Sequence, residues 1–103
     1  MIISGGENIY PAELENLING IDGVTGAAVI GVPDDRWGEV PWAMITVRDG
    51  ASVTVTAAAV REFLDGQVAR YKLPREVVVI DELPRTASGK IRKADLRARF
   101  ARG

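Results

Sequence analysis

The sequence contains no cysteine and no histidine. Without them the chain cannot build a Ser-His-Asp or Cys-His triad, a thiol nucleophile, or a zinc site with His and Cys ligands. It also has no disulfide framework, which is compatible with a cytoplasmic location. No apolar run approaches the roughly 18 residues that a membrane-spanning helix requires, and the first residues lack the charged-then-apolar order of a secretory signal. Aromatic residues make up only 6% of the chain, and no nucleic-acid recognition motif accompanies them. Polar chemistry is left to lysine, arginine, carboxylates, hydroxyls and the backbone.

What is present describes one soluble domain. The chain has 103 residues, of which 47% are hydrophobic and 26% charged, enough for a single modest core. The formal net charge of −1 conceals a division. Residues 1–69 carry three Lys/Arg against ten Asp/Glu, a net −7, and residues 70–103 carry ten against four, a net +6. Such asymmetry suggests a surface that meets a polyanion; for the arginines of 92–102 a solvated basic helix is the alternative.

Hydrophobic spacing predicts the elements. A short strand over Met1–Ser4 leads into Gly5-Gly6, a turn that needs unusual backbone angles or a close ligand approach. Pro11 suits the first position of a helix carrying Leu14, Leu17, Ile18 and Ile21, with Gly20 as its stop and Glu13 favourable to its dipole. Two antiparallel strands follow, Val24–Val32 and Val40–Val47, with Pro41 marking an edge or irregularity. Thr56 caps a predicted helix over 57–70, whose Val60, Phe63, Leu64 and Val68 form one apolar stripe. Glu76–Ile80 reads as a buried strand, and Lys93–Arg102 as a terminal helix with Leu96 and Phe100 inward. The fold class expected is α+β, a small, mainly antiparallel sheet with flanking helices.

Between the last strand and the last helix lies Pro84-Arg85-Thr86-Ala87-Ser88-Gly89-Lys90-Ile91-Arg92-Lys93. A Ser-Gly turn there holds the Lys90 ammonium away from the domain, within reach of a phosphate or carboxylate. It is not a Walker loop, because Pro84 and Ile91 stand where glycine and a hydroxyl residue are needed. By itself such a lysine also reads as an ordinary solvated side chain.

A second segment, Ile2-Ile3-Ser4-Gly5-Gly6-Glu7-Asn8-Ile9-Tyr10-Pro11-Ala12-Glu13-Leu14-Glu15, alters that reading. Together with the run Gly31–Val40, the loop Tyr71-Lys72-Leu73-Pro74-Arg75 and the lysine turn, it resembles the C-terminal domain of acyl-CoA synthetases, the adenylate-forming carboxylate–CoA ligases. The resemblance covers nearly the whole chain, and its motifs appear in family order. It implies a two-step reaction in which ATP activates a carboxylic acid as an acyl-adenylate and CoA then displaces AMP. It carries to Lys90 the catalytic stabilisation of the first step, a point charge between carboxylate and α-phosphate.

For the second step, the resemblance puts the Gly5-Gly6 backbone beside the pantetheine arm of CoA, with Ser4, Glu7 and Asn8 flanking it. A plain hairpin turn is the alternative. Tyr71, Lys72 and Arg75 would hold the CoA nucleotide, through an aromatic face for adenine and cations for phosphate. Outside the resemblance that stretch is an ordinary helix-to-strand loop. Trp37 is expected to pack. The magnesium bound with ATP, the acyl pocket and the ATP phosphate loop are expected in a large N-terminal partner domain that precedes Met1 in the family; no metal site is expected in this chain. Two other readings stay open: the same lid on an acyl-AMP ligase that loads a carrier protein, and a stand-alone binding module.

Overall fold

A computed structural model describes residues 1–51 and 54–100. Strand β1 (Ile2–Ser4) folds back on β2 (Glu7–Ile9) with Ser4 opposite Glu7, so only Gly5 and Gly6 make the turn. Their φ angles are +57° and +83°. Positive φ at both central residues is what a tight hairpin demands, since its twist then matches that of the strands, and glycine adopts it without a steric cost. The Gly5-Gly6 backbone is thus a hairpin turn, and β2 is a strand that periodicity had not predicted.

Helix α1 (Pro11–Ile18) begins at proline, as expected, but does not end on a left-handed glycine. Asn19 caps it in right-handed geometry, and the Gly20 amide donates to the Leu17 carbonyl, a tightened last turn. Ile21 lies beyond the helix yet packs against the core. Strands β3 (Val24–Asp34) and β4 (Gly38–Val47) form a long antiparallel hairpin, reaching further toward its tip than their apolar runs suggested.

Helix α2 (Ala57–Leu64) is shorter than predicted. Thr56 does cap it, its Oγ accepting from the Ala59 amide at 3.2 Å. Asp65 then turns extended, and the poor helix formers Asp65 and Gly66 end the helix. Val68 still reaches the core from the following turn, whereas Phe63 is partly exposed. A 3-10 turn at Arg70–Lys72 leads to β5 (Glu76–Val79), which is half-buried rather than buried and pairs parallel to β4. Helix α3 (Lys93–Phe100) closes the described chain with Leu96 buried. The last two residues predicted for that helix lie outside the described residues.

The sheet has β4 at its centre, flanked on one side by β3 and on the other by β1 and β5 in succession. Pro41 therefore lies in an interior strand, at an irregularity rather than at a sheet edge. It is tolerated because β1 pairs only at Gly38 and β5 begins only at Trp42, so the missing N–H faces the gap between them. The core has two halves. Ile2, Ile9, Leu14, Ile18, Val29, Ile45, Val60 and Leu64 pack beneath α1 and α2. Ile30, Met44, Ile80, Leu83 and Leu96 pack on the other face beneath α3.

Candidate functional site

The gap in the sheet is a cleft. A cavity of about 330 Å³ opens there, lined by Ser4, Gly5, Glu7, Trp37, Val40, Pro41, Arg70, Tyr71, Leu73 and Arg75. Three segments far apart in sequence meet at it. The glycine turn is tied to the β3–β4 tip through the Gly5 amide, which donates to the Trp37 carbonyl at 2.8 Å. The tip is shaped by Asp34, whose carboxylate accepts from the Arg36 and Trp37 amides at 3.0 and 2.9 Å. The Arg36 guanidinium lies 5.0 Å above the indole ring.

The third wall is held from two sides. The Arg75 amide donates to the Pro41 carbonyl at 2.7 Å. From α2, the Arg61 guanidinium donates to the Pro74 carbonyl at 3.0 Å and also to that of Arg75. Tyr71 and Arg75 are exposed at the rim. Two guanidinium groups and two aromatic rings facing an apolar floor suit an aromatic, phosphorylated ligand.

Not every predicted contact reaches the cleft. Ser4, Gly5, Glu7, Tyr71 and Arg75 line it, and Gly6, Asn8 and Lys72 do not. Lys72 turns to α1, where its Nζ meets Glu13 Oε1 at 2.9 Å. That hydrogen bond, together with the negative charge of Glu13, raises the lysine pKa above its ordinary value. Gly6 has open space where a side chain would stand. Gly5 differs: a Cβ there would fall 2.6 Å from Trp37 Cε3. The indole ring rests on the glycine, so Trp37 packs as expected and lines the cleft as well. Arg70 was missed because it stands one residue before the recognised loop, in a stretch read as helix.

Lys90 lies elsewhere. Its turn is closed by the Thr86 amide donating to the Lys90 carbonyl at 2.8 Å and the Gly89 amide donating to the Thr86 carbonyl at 2.9 Å. Below it, Arg85 bridges to Ile91 and the Arg92 amide donates to the Pro84 carbonyl at 2.7 Å. Leu83 and Ile91 root this neck in the α3 half of the core. Residues 85–90 are all exposed, so the ammonium projects into solvent. The cleft residues Ser4 and Glu7 share the α1/α2 face with Ile2 and Ile9, so lysine and cleft occupy opposite faces of one sheet. They also lie toward opposite ends of the β3–β4 hairpin, since Leu83 packs beside Gly26 and the cleft adjoins Gly38.

A sequence profile of the AMP-binding enzyme C-terminal domain matches residues 13–90. The chain belongs to this family. As an AMP-binding enzyme C-terminal domain, it is 55% identical over 102 residues to indoleacetate–CoA ligase of Aromatoleum aromaticum, covering 99% of this chain and 20% of that protein. It is 51% identical to a feruloyl-CoA synthase of Amycolatopsis, over 97% of this chain and 20% of that one. A solved Mycobacterium tuberculosis fatty acyl CoA synthetase superposes with a TM-score of 0.91 at 44% identity, over 98% of this chain and 20% of the other. The domain thus spans about a fifth of the length of the curated relatives it matches. Among the described residues no cluster of acidic side chains is arranged to hold a metal ion, and no helix is long and apolar enough to cross a membrane.

Proposed function

We propose that this domain is the mobile lid of an ATP-dependent carboxylate–CoA ligase and serves its two half-reactions with two different surfaces. The observation that carries the reading is the separation of Lys90 from the cleft on opposite faces of one sheet. A single reaction centre cannot meet both at once, so a two-step reaction that turns the domain between steps accounts for the arrangement.

In the first step a carboxylate oxygen attacks the α-phosphorus of ATP and pyrophosphate leaves. The exposed Lys90 ammonium enters from the small domain and bridges the carboxylate and α-phosphate oxygens as negative charge gathers there. A donor of this kind accounts for about 10²–10³ in rate. In the second step the CoA thiol attacks the acyl carbonyl and AMP leaves. The cleft then holds CoA, with Gly5 seating the Trp37 ring that walls it, Tyr71 offering a face to adenine, and Arg70 and Arg75 facing its phosphates.

ATP, CoA and a carboxylic acid are the substrates on this reading, and the magnesium that accompanies ATP belongs with the large partner domain. A cytoplasmic location belongs to the same reading. The relatives' names, indoleacetate–CoA ligase and feruloyl-CoA synthase, favour CoA as the acceptor over a carrier protein. The test is to resolve the half-reactions in the full-length enzyme. Lys90→Ala should lower pyrophosphate exchange by about 10²-fold or more and leave CoA attack on supplied acyl-adenylate near normal. Equal loss in both steps would refute the division.

A further inference from the structure

The lysine turn has no packing of its own. Every residue from Arg85 to Lys90 is exposed, and Gly89 sits at φ +90° with open space around it. Fixing the backbone of such a segment costs about 1–2 kcal/mol per residue, and no apolar burial within the turn offsets it. Polar contacts must hold the lysine in place, and they converge on Thr86. Its amide and carbonyl bond Lys90 and Gly89 across the turn. Its hydroxyl accepts from the Lys90 amide at 3.2 Å and lies 3.0 Å from the Ser88 hydroxyl. The neighbouring Arg85 guanidinium adds a bond to the Gly89 carbonyl at 2.9 Å.

We infer that Thr86 is a positioning residue for the adenylate-forming step, its hydroxyl fixing the backbone from which Lys90 reaches the substrate. This rests on the reading of Lys90 given above. A lysine has four rotatable bonds, so the placement of its Cα decides how much side-chain freedom must be lost on reaching the reacting atoms. A hydroxyl bonded to the lysine's own amide limits that placement directly. Ser88 alone cannot replace it, because the Ser88 hydroxyl reaches the turn through Thr86.

The experiment compares Thr86→Val, Thr86→Ser and Lys90→Ala in the full-length enzyme, with both half-reactions measured. Valine keeps the shape and the two backbone bonds and removes only the hydroxyl. Thr86→Val should lower kcat for adenylate formation about tenfold, the effect of one lost hydrogen bond, with KM for ATP and acid unchanged. CoA attack on supplied adenylate should be unaffected, and Thr86→Ser should restore the rate. In a Lys90→Ala background, Thr86→Val should add no further loss, because the group it positions is gone. A normal rate in Thr86→Val, failure of serine to restore it, or the same tenfold loss in the Lys90→Ala background would each overturn the inference while leaving Lys90 in place. If Lys90→Ala itself leaves adenylate formation intact, the reading of Lys90 fails and the inference fails with it.

Discussion

Gly5 and Gly6 form a matched pair that separates backbone strain from cleft geometry. Both have positive φ, +57° and +83°, so an alanine at either site costs about 1–2 kcal/mol of left-handed strain. Only Gly5 supports the Trp37 ring. An alanine Cβ there would lie 2.6 Å from Cε3 and 2.9 Å from Cζ3, against an ordinary carbon contact of about 3.5 Å. The ring must then retreat by about 1 Å, and it moves as a wall of the cleft. A displacement of that size at a binding group costs up to ~10²-fold in the step it serves. Gly6→Ala meets nothing within 4 Å. The prediction is that Gly5→Ala lowers CoA attack on supplied acyl-adenylate by ~10–10²-fold, whereas Gly6→Ala changes it only a few-fold. Melting temperatures should fall in both variants through the shared strain, and further in Gly5→Ala, which also displaces the ring. In a Trp37→Ala background Gly5→Ala should add little, because there is no ring left to displace. Equal rate losses in the two single variants would refute the role assigned to the ring.

The 103-residue chain by itself should release no pyrophosphate from ATP with magnesium and a panel of carboxylates; turnover above background by pure protein would contradict the lid reading. Arg75→Ala should raise KM for CoA about tenfold, the cost of one charge-assisted contact, and Lys72→Gln should hardly change it, because Lys72 is committed to Glu13. A larger effect of Lys72→Gln than of Arg75→Ala would reverse that assignment. The raised pKa of Lys72 gives a pH signature as well. A cation stabilised by folding contributes fully below its unfolded value near 10.5 and is lost as pH rises through the higher folded value. The wild-type melting temperature should therefore exceed that of Lys72→Gln by the same small margin across neutral pH, and the two should converge in strong alkali.

Apolar spacing carried most of the fold. The stripe of Leu14 and Ile18, the two β runs and the Thr56 cap all stand as read. What was not legible has local causes. Strand β2 has a single buried apolar residue, Ile9, and owes its existence to the glycine turn rather than to alternation. Val68 continues the helical period of Val60 and Leu64, so the stripe gave no warning that the chain leaves the helix at Asp65. The parallel pairing of β5 with β4 leaves no mark in either strand, and the interior position of Pro41 depends on two other strands stopping short of it. For the site, the motifs named the glycine turn and the 71–75 loop but not their meeting point. Neither the doubled role of Trp37 nor the diversion of Lys72 to a carboxylate 59 residues away is visible in a linear motif.

The alternation of the two faces can be measured directly with single reporter thiols, because the domain has no cysteine of its own. Ser88→Cys marks the lysine turn and Glu7→Cys the cleft, both at exposed positions, in a full-length enzyme freed of other thiols. Alkylation rates should be followed with ATP and an unreactive acid analogue, and again with an unreactive acyl-adenylate mimic and CoA. Reciprocal protection is expected: the thiol at position 88 is shielded in the first condition and open in the second, and the thiol at position 7 shows the reverse. Simultaneous protection of both thiols in either condition would contradict it.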